Sequence, residues 1–309
     1  MIVVFGSVNL DLVARVPRLP GPGETLQGTS FTTLPGGKGA NQALAARRSG
    51  ATVAMVGAVG RDTFAAPALA GLLAAGVELD GIAAVDHPTG IALIHIDAAG
   101  ENAITIVAGA NAHASASSIR PTHWSCATTM LLQLETPMAE VIAVAQEARG
   151  RGIRVVLNAA PMQTLPPALL AVIDVLVVNE HEAAALAIQL KLNVIGDALA
   201  DALSDLLQIT VVQTLGANGA CVAAPGLRWH ARPPAIEVVD STGAGDAFTG
   251  ALAAALDCGA PWPLALTQGV AAGALACGRV GAQTALADHP AIAAFAERVK
   301  LAALSPPSS

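Results

Sequence analysis

The sequence has few aromatic and few charged residues. Among its 309 residues there is no Tyr, aromatic side chains make up 3%, and charged side chains make up 13%, which is about half of the roughly 25% found in typical soluble chains. Sixteen Lys and Arg face 23 Asp and Glu, for a net charge of −7. Disordered chains are polar and highly charged, so this composition excludes that class. It also argues against a nucleic-acid-binding protein, which would present clustered Lys and Arg.

Cysteine and histidine patterns give no sign of a disulfide framework or a zinc site. The four cysteines form no C-x-x-C pair, and no two of the seven histidines lie four residues apart. The first residues, MIVVFGSVNLD, lack the basic start and the cleavage site of a signal peptide and instead predict a strand. Pro261 and Pro263 interrupt the uncharged stretch 258–278, which favours a buried helix over a membrane span. We therefore expect a cytoplasmic protein with neither a membrane nor a nucleic-acid partner.

Short apolar runs alternate with longer Ala- and Leu-rich runs along most of the chain. This alternation predicts an α/β fold with a mostly parallel central sheet and helices on both faces, ending in a helix over 291–303. Two segments instead have a period of two, which predicts a small antiparallel sheet, either a lid over a cleft or an ordinary edge extension. The expected division is a catalytic domain of 1–10, 34–89 and 108–304, a β lid of 11–33 and 90–107, and a loose tail of 305–309.

Polar residues follow nearly every apolar run that predicts a strand. Each one alone is explained equally well as a turn residue or a helix cap. Together they indicate a single crevice, because ligands of open α/β sheets bind beyond the carboxyl ends of the strands. The residues are Asn9, Asp11, Glu135, Asn158, Asn179, Glu180, Glu182, Thr214 and Asp240.

The most informative motif is the stretch DSTGAGDAFTG at 240–250, between an apolar run and a strong helix pattern. Gly243 and Gly245 permit unusual backbone angles, and the N-terminus of the following helix favours an anion. Asp246 stands beside this anion site, where a carboxylate is useful if it takes a proton from a nucleophile that attacks the anion. The alternative is an ordinary glycine turn with an Asp in the first helical turn.

A second glycine loop, GGKGAN at 36–41, opens another predicted helix. It does not match the P-loop pattern G-x-x-x-x-G-K-[ST], because Thr32 stands where the first Gly is needed and Gly39 follows Lys38. No G-x-G-x-x-G follows the first predicted strand either. Anion binding here is therefore neither of the Walker nor of the Rossmann kind.

With these two loops the sequence resembles the ribokinase-like (PfkB) carbohydrate kinases. The resemblance covers nearly the whole chain in order and spacing, at residues 6–11, 22–25, 36–43, 109–111, 133–135, 179–182, 214–219, 240–250 and 281–283. It implies an ATP-dependent kinase that transfers the γ-phosphate to the 5-hydroxyl of D-ribose. It also implies that Asp246 is the catalytic base and that Gly243, Ala244 and Gly245 form the anion hole.

The resemblance assigns further residues to each ligand. Sugar contacts are implied for Asn9, Asp11, Gly37, Lys38, Asn41, Glu135 and Asp246, with Lys38 on either the sugar or the transferred phosphate. Nucleotide contacts are implied for Asn179, Thr214, Gly216, Asn218, Gly219 and Gly245. Asn179 and Glu182 match a feature that organises Mg²⁺, partly through water, and a K⁺ site is implied at Asp240, Thr242, Ala276, Arg279 and Gly281.

Two positions depart from the family pattern. Gly269 stands where an adenine-flanking His or Asn is frequent, and Ala285 stands where a Ser often completes the cation site. These departures leave the nucleotide preference and the strictness of the K⁺ requirement open. The residues themselves favour a neutral sugar, because the carboxylates of Asp11 and Glu135 would repel an anionic substrate.

The same motifs are compatible with other substrates and with a binding protein, and the small sheet predicts an oligomer. Within the family, deoxyribose, fructose or a nucleoside is an alternative substrate. An alternative from another functional class is a non-catalytic sugar-binding protein on the same fold, since fold alone does not establish activity. Exposed edges and faces of the small sheet invite pairing, so a homodimer through the β lid is expected.

Overall fold

The computed structural model describes residues 1–304, except for the side chain of Asp197; the expected tail at 305–309 lies outside the described residues. The strands are β1 (Ile2–Phe5), β2 (Asn9–Arg15), β3 (Ser30–Gly36), β4 (Val53–Gly60), β5 (Glu78–Val85), β6 (Gly90–Ile96), β7 (Asn102–Val107), β8 (Thr129–Leu132), β9 (Arg154–Asn158), β10 (Val175–Asn179), β11 (Thr210–Thr214), β12 (Ala220–Ala224), β13 (Leu227–Arg232) and β14 (Lys300–Ala303). The helices are α1 (Lys38–Arg48), α2 (Ala65–Ala74), α3 (Pro121–Cys126), α4 (Met138–Gly150), α5 (Pro167–Leu170), α6 (Glu180–Gln189), α7 (Leu199–Leu207), α8 (Ala244–Asp257), α9 (Trp262–Ala276), α10 (Ala282–Ala285) and α11 (His289–Ala296).

Within the described residues 1–304, ten strands form the central sheet in the order β14-β13-β12-β11-β10-β9-β8-β1-β4-β5. The pairings from β5 to β11 are parallel, and β12, β13 and β14 add an antiparallel edge. The predicted fold class is confirmed: a mostly parallel sheet with helices on both faces.

Alternating side chains of the central strands serve two separate cores. In β1, Ile2 and Val4 pack into one apolar cluster with α1, α8 and α9, whereas Val3 and Phe5 pack into the other with α4, α6 and α7. All four side chains are fully buried. Burying an aliphatic or aromatic side chain of this size stabilises the fold by about 1.5–3 kcal/mol, so both faces of the sheet must remain covered.

The small sheet has four strands in the order β3-β2-β6-β7. Its two sequence segments meet through a parallel pairing of β2 with β6, while β2–β3 and β6–β7 are antiparallel. The expectation of a purely antiparallel sheet was therefore wrong in this one pairing. The strands also begin and end closer to the central sheet than expected, at Asn9 and Gly36, which brings Asp11 to the mouth of the crevice.

The end of the chain differs from the helix expected over 291–303. The helix α11 ends at Ala296, and β14 pairs with β13 at the edge of the central sheet. Lys, Leu and Ala favour a helix by intrinsic propensity, but pairing with a waiting sheet edge outweighs this weak local preference. The apolar run at 235–239 likewise forms no strand, and the N–H of Val239 instead donates to the Cys277 carbonyl at 2.8 Å.

The helix over the uncharged stretch, α9, packs within the larger apolar cluster. Within residues 1–304, no helix combines the length and the apolar character that crossing a bilayer requires.

Candidate active site

The parallel strands deliver their last residues to one edge of the sheet. The backbone registers place Phe5 beside Leu132, Leu132 beside Leu157, and Asn179 beside Thr214. The polar residues that follow these strands therefore converge, as the sequence predicts. Helices α1 and α8 approach the same edge with their N-terminal ends, which carry Lys38 and Asp246.

Asp246 lies in the first turn of α8 and is buried, with 6% of its surface exposed. The helix begins after Gly243, whose φ of 75° is a left-handed conformation that Gly adopts without strain. A Cβ at Gly243 would also lie 2.9 Å from the Cβ of Ala282. The first N–H groups of a helix have no partner four residues earlier, so this turn presents donors to an anion beside the carboxylate.

Two side chains of α1 hold the Asp246 carboxylate. Asn41 Nδ2 donates to Oδ2 at 3.0 Å, and Gln42 Nε2 donates to Oδ1 at 2.9 Å. The Oδ1 atom of Asn41 is buried and has no hydrogen-bond partner within residues 1–304. A buried acceptor without a donor is costly, so this oxygen is suited to receive a hydroxyl from a ligand.

The Glu135 carboxylate is fixed by two donors from the other side of the crevice. The hydroxyl of Ser7 donates to Glu135 Oε2 at 2.6 Å, and the N–H of Lys38 donates to the same oxygen at 3.1 Å. The second oxygen of Glu135 is left to accept from a ligand. Gly37, the N-cap of α1, has a φ of 89° and would clash with the backbone of Asn9 if it carried a Cβ.

The charges of these carboxylates shift the pKa values of Asp11 and Lys38. Burial, together with the charges of Glu135 and Asp246, raises the pKa of Asp11 to about 7. The charge of Asp246, with smaller contributions from Glu135 and Glu182, raises the pKa of Lys38 although burial opposes it. Lys38 therefore keeps its positive charge, which the carboxylates of Asp246, Glu135 and Glu182 stabilise.

Two cavities in the described part of the chain, residues 1–304, are lined by residues expected in the site. One, of about 610 Å³, is lined by Asn9 and Glu135 together with Ile106 of the small sheet. The other, of about 540 Å³, is lined by Thr214, Gly216, Ala217, Gly219, Ala244, Gly245, Phe248 and apolar residues of α9. Four residues expected to contact the nucleotide (Thr214, Gly216, Gly219 and Gly245) thus share one largely apolar cavity that begins at the glycine turn.

Asn218 does not line that cavity. It lines a separate cavity of about 280 Å³ with Glu180 and Asp201, and its carbonyl lies 2.9 Å from His230 Nε2. The short helical turn at Gly216–Asn218 places Gly216 and Asn218 toward different cavities. Of the loop residues predicted to contact the nucleotide, Asn218 is the one that the structure sets apart.

Asn179 and Glu182 form a capping box at the start of α6. Asn179 Oδ1 accepts from the N–H of Glu182, and Glu182 Oε2 accepts from the N–H of Asn179, both at 2.8 Å. Burial raises the pKa of Glu182, although the hydrogen bond from Asn179 and the charge of Lys38 act against it. One carboxylate oxygen remains for a cation or its water, and Mg²⁺ prefers such oxygen ligands beside phosphates. The donor set therefore fits Mg²⁺.

The residues expected around K⁺ lie on the loop before α8 and on the segment that ends α9 and leads to α10, and hydrogen bonds join the two. Asp240 Oδ2 accepts from the N–H of Gly281 at 2.8 Å, Oδ1 accepts from the N–H of Thr242 at 2.9 Å, and the N–H of Arg279 donates to the Ala276 carbonyl at 3.3 Å. Burial alone would raise the pKa of Asp240, but the hydrogen bonds from Gly281 and Thr242 outweigh it and the pKa is lowered. Carboxylate and backbone carbonyl oxygens, which this set of residues can offer, are the ligands that hard cations prefer.

The two departures from the family pattern have different surroundings. Gly269 packs against the ring of Phe248, where an added Cβ would lie 3.0 Å from Cε2, so that ring fills the space of a larger side chain. Ala285 is buried and offers no oxygen from its side chain. The neighbouring Thr284 hydroxyl donates to the Val280 carbonyl at 2.8 Å.

Comparison with known proteins places the chain in a family. The family model described as pfkB family carbohydrate kinase matches residues 1–289. The chain belongs to the pfkB family of carbohydrate kinases. A ribokinase of Haemophilus influenzae is 35% identical to this pfkB-family chain over 300 residues, which are 96% of this chain and 98% of that protein.

Solved structures of the same family are similar over nearly their full length. The ribokinase of Thermotoga maritima superposes with a TM-score of 0.87 at 30% identity, covering 96% of this chain and 99% of that one. An Arabidopsis thaliana ribokinase complexed with ribose and ATP superposes with a TM-score of 0.85 at 32% identity, covering 96% and 98%. The family resemblance inferred from the motifs is confirmed.

Several residues that the site depends on were not predicted from the sequence. Ser7 orients Glu135, Asn111 orients Asn9, and Gln42 contacts Asp246. Gln42 gave a usable signal, because it is a polar residue next to the Ala- and Leu-rich run 43–46 of a predicted helix. Buried polar residues of that kind are hydrogen-bonded, although the sequence does not say to which partner.

Proposed function

We propose that this chain is a ribokinase-type enzyme that transfers the γ-phosphate of ATP to the 5-hydroxyl of D-ribose. The observation that carries the proposal is the position of Asp246. Its carboxylate accepts a hydrogen bond from Asn41, an amide expected to contact the sugar, and it directly follows a glycine turn whose Ala244 and Gly245 line a largely apolar cavity. A base is useful only where an alcohol on one side meets a phosphoryl group on the other.

In the proposed reaction Asp246 takes the proton of the sugar hydroxyl as its oxygen bonds to the γ-phosphorus. The bond from that phosphorus to the bridging oxygen breaks, and ADP leaves with the electron pair. The backbone of Gly243, Ala244 and Gly245 donates to the oxygens of the transferring group, where negative charge concentrates. Lys38, with its raised pKa, remains cationic and pairs with the same charge.

A neutral sugar is the substrate that best suits the polar side chains of Glu135, Asn9 and Asn41. Glu135, Asn9 and the unpartnered Asn41 Oδ1 supply acceptors and an amide donor for vicinal hydroxyls. A phosphate or carboxylate on the substrate would meet the carboxylates of Asp11, Glu135 and Asp246, whose mutual proximity already raises the pKa of Asp11. The proposal takes ribose as substrate because that is the substrate bound in the Arabidopsis relative.

We also propose that ATP binds in the cavity lined by Thr214, Gly216, Gly219 and Gly245, with Asn179 nearby, and that two cations assist. Asn179 and Glu182 would hold Mg²⁺, and Asp240, Thr242, Ala276, Arg279 and Gly281 would hold K⁺. Bound Mg²⁺ supplies charge neutralisation for the phosphates, and K⁺ would stabilise the loops beside the glycine turn. Because the side chain of Ala285 adds no oxygen, we expect a weaker response to K⁺ than a complete set of ligands would give.

We propose further that the small sheet is a lid and a dimer contact. Its segments 11–33 and 90–107 would form one unit over a catalytic domain of 1–10, 34–89 and 108–304. The registers place Val13, Ile94 and Ile104 on the same face as Asp11, and Ile104 is 51% exposed. A second copy of the chain packed on this apolar face would cover it. The cytoplasm, where ATP is available, is the proposed location.

The test is a coupled assay of ADP formation with ribose, deoxyribose, fructose and adenosine, with and without K⁺. Ribose should give the highest kcat/KM, and Asp246→Asn should remove nearly all turnover while ribose still binds. Faster reaction with another acceptor would replace ribose by that substrate. Ribose binding without ATP consumption by the unmodified protein would instead identify a sugar-binding protein.

A further inference from the structure

Gln42 is a fully buried amide whose polar atoms all have partners. Its Nε2 donates both to Asp246 Oδ1 and to Asn158 Oδ1, each at 2.9 Å, and its Oε1 accepts from Gln133 Nε2 at 2.8 Å. Two donated bonds and one accepted bond leave the amide a single good orientation. Turning it over would set its oxygen against the acceptors of Asp246 and Asn158.

The partners of Gln42 are themselves fixed. Asn158 Nδ2 donates to the Val177 carbonyl at 3.2 Å, so its Oδ1 faces Gln42. Gln133 lies so close to Gly6 that a Cβ there would be 3.1 Å from its Cδ. The amide of Gln42 therefore has hydrogen bonds to two further side chains, Asn158 and Gln133, besides the one to Asp246.

Helices α1 and α8 approach each other closely enough to sustain this contact. A Cβ at Gly250 would lie 2.6 Å from the Gln42 carbonyl oxygen and 2.8 Å from the Ala46 nitrogen. Gly250 follows Asp246 by one turn of α8. The backbone of α1 thus comes against α8 beside the carboxylate, at the length of one glutamine side chain.

From these contacts we infer that Gln42 is a positioning residue, which fixes the Asp246 carboxylate for proton transfer. The inference rests on the proposed role of Asp246 as the base. Asn41 and Gln42 each donate to a different oxygen of that carboxylate, so it cannot turn about its Cβ–Cγ bond. Both donors are neutral, and the orientation is obtained without an ion pair on the proton acceptor.

Two substitutions separate positioning from packing. Gln42→Glu keeps the shape and the oxygen that accepts from Gln133, but it replaces the donor with an oxygen against Asp246. Gln42→Met removes the polar atoms without burying a charge. At pH 8 both should lower kcat by about 100-fold, the loss typical of a misplaced catalytic group. The dissociation constant for ribose, measured by calorimetry, should change less than threefold.

The pH dependence gives a signature that a packing role would not produce. A carboxyl buried beside another carboxylate has a raised pKa, so the introduced group of Gln42→Glu gains a proton as the pH falls and then donates an O–H to Asp246. The kcat of Gln42→Glu relative to unmodified protein should therefore rise between pH 8 and pH 6. The same ratio for Gln42→Met should stay level.

Gln189→Met is the matched control. Gln189 also makes two amide hydrogen bonds: its Oε1 accepts from the N–H of Leu165 at 2.9 Å, and its Nε2 donates to the Leu165 carbonyl at 2.7 Å. It is the last residue of α6, at the opposite end from the capping box of Asn179 and Glu182. The Gln189→Met variant should lose thermal stability but keep its kcat per folded molecule. Circular dichroism gives the fraction of folded molecules for this correction.

The outcomes separate this inference from the proposed function. Unmodified protein that turns over, with Asp246→Asn inactive and Gln42→Met within twofold of normal kcat, overturns the positioning role alone. A kcat ratio for Gln42→Glu that does not change with pH, or an equal loss in Gln189→Met, also overturns it. Unmodified protein without phosphotransfer to any acceptor overturns both.

Discussion

The amide of Asn111 holds the amide of Asn9. Asn111 Nδ2 donates to Asn9 Oδ1 at 2.7 Å and to the Val8 carbonyl at 3.1 Å, and Asn111 Oδ1 accepts from the Val8 N–H at 2.8 Å. Val8 and Asn9 lie at the start of the first segment of the small sheet, whereas Asn111 follows the second. One buried side chain therefore joins both connections of that sheet and sets the direction of the amide of Asn9, which we propose to contact the sugar.

Replacing Asn111 should weaken sugar binding. Asn111→Asp keeps the shape but places an oxygen against Asn9 Oδ1 and the Val8 carbonyl, and an unsatisfied buried polar group costs about 1–3 kcal/mol. We expect KM for ribose to rise about tenfold while KM for ATP stays within twofold. Steady-state kinetics with each substrate varied would measure this. Asn102→Asp, an exposed change on β7, is the control, and equal effects of the two variants would contradict the prediction.

Asp11 should make stability depend on pH. Burial and the charges of Glu135 and Asp246 raise its pKa in the folded chain to about 7. The pKa of an Asp in an unfolded chain is about 4. Between these values the folded protein holds the extra proton, so the contribution of this group to stability falls as the pH rises through 7. The gain in Tm from Asp11→Asn should be larger at pH 8 than at pH 5.

Differential scanning calorimetry at the two pH values tests this, because other titrating groups cancel in the comparison with unmodified protein. Asp86→Asn, at an exposed surface ion pair with Arg61, should give no comparable pH-dependent difference. A Tm difference for Asp11→Asn that is the same at pH 5 and pH 8 would refute the account.

Glu182 should govern the response to Mg²⁺. Glu182→Gln removes a charge but retains a side chain that serves in a capping box, so α6 should stay folded. The Mg²⁺ concentration for half-maximal rate should rise about tenfold, since Mg²⁺ sites depend on one or two carboxylates. Rates measured across a Mg²⁺ titration at saturating ATP and ribose would show it. Glu180→Gln, an exposed change in the same helical turn, should leave the titration unchanged.

The proposed dimer should depend on the apolar face of the small sheet. Ile104→Lys places a charge at a half-exposed position of β7, where burial against a second copy would leave it unpaired. Light scattering should give the mass of two chains for the unmodified protein and of one chain for the variant. Ile188→Lys, at a more exposed isoleucine on α6, should remain a dimer. A mass of one chain for the unmodified protein would dismiss the proposal.

The sequence was sufficient where a signal is local. The glycine turn before Asp246, the Gly37 loop and the strand ends all came from residue patterns, because turn geometry and apolar runs are written in neighbouring residues. Strands β12 and β13 were missed, and β14 was taken for helix. Their existence depends on pairing with the edge that β11 presents, which a local pattern does not contain.

The contacts within the site were harder to foresee than its members. Glu135 was expected in the sugar pocket, but its partner Ser7 lies 128 positions away. Asn218 was grouped with Gly216 by sequence, yet one helical turn directs them to different cavities. Sequence spacing identifies the residue types that chemistry needs, whereas their orientation follows from how α1, α8 and the strands pack.

The Asp246 carboxylate and the two amides that hold it are more than 200 residues apart in the sequence. Asn41 and Gln42 are made early during synthesis and Asp246 late, and the two meet only when α8 docks on α1. A truncated or newly emerging chain that lacks α8 has the strand-end residues proposed to bind the sugar but lacks the proposed base. Such fragments should therefore consume no ATP, and phosphotransfer would report that the chain has been made at least through α8 and that α8 has docked on α1.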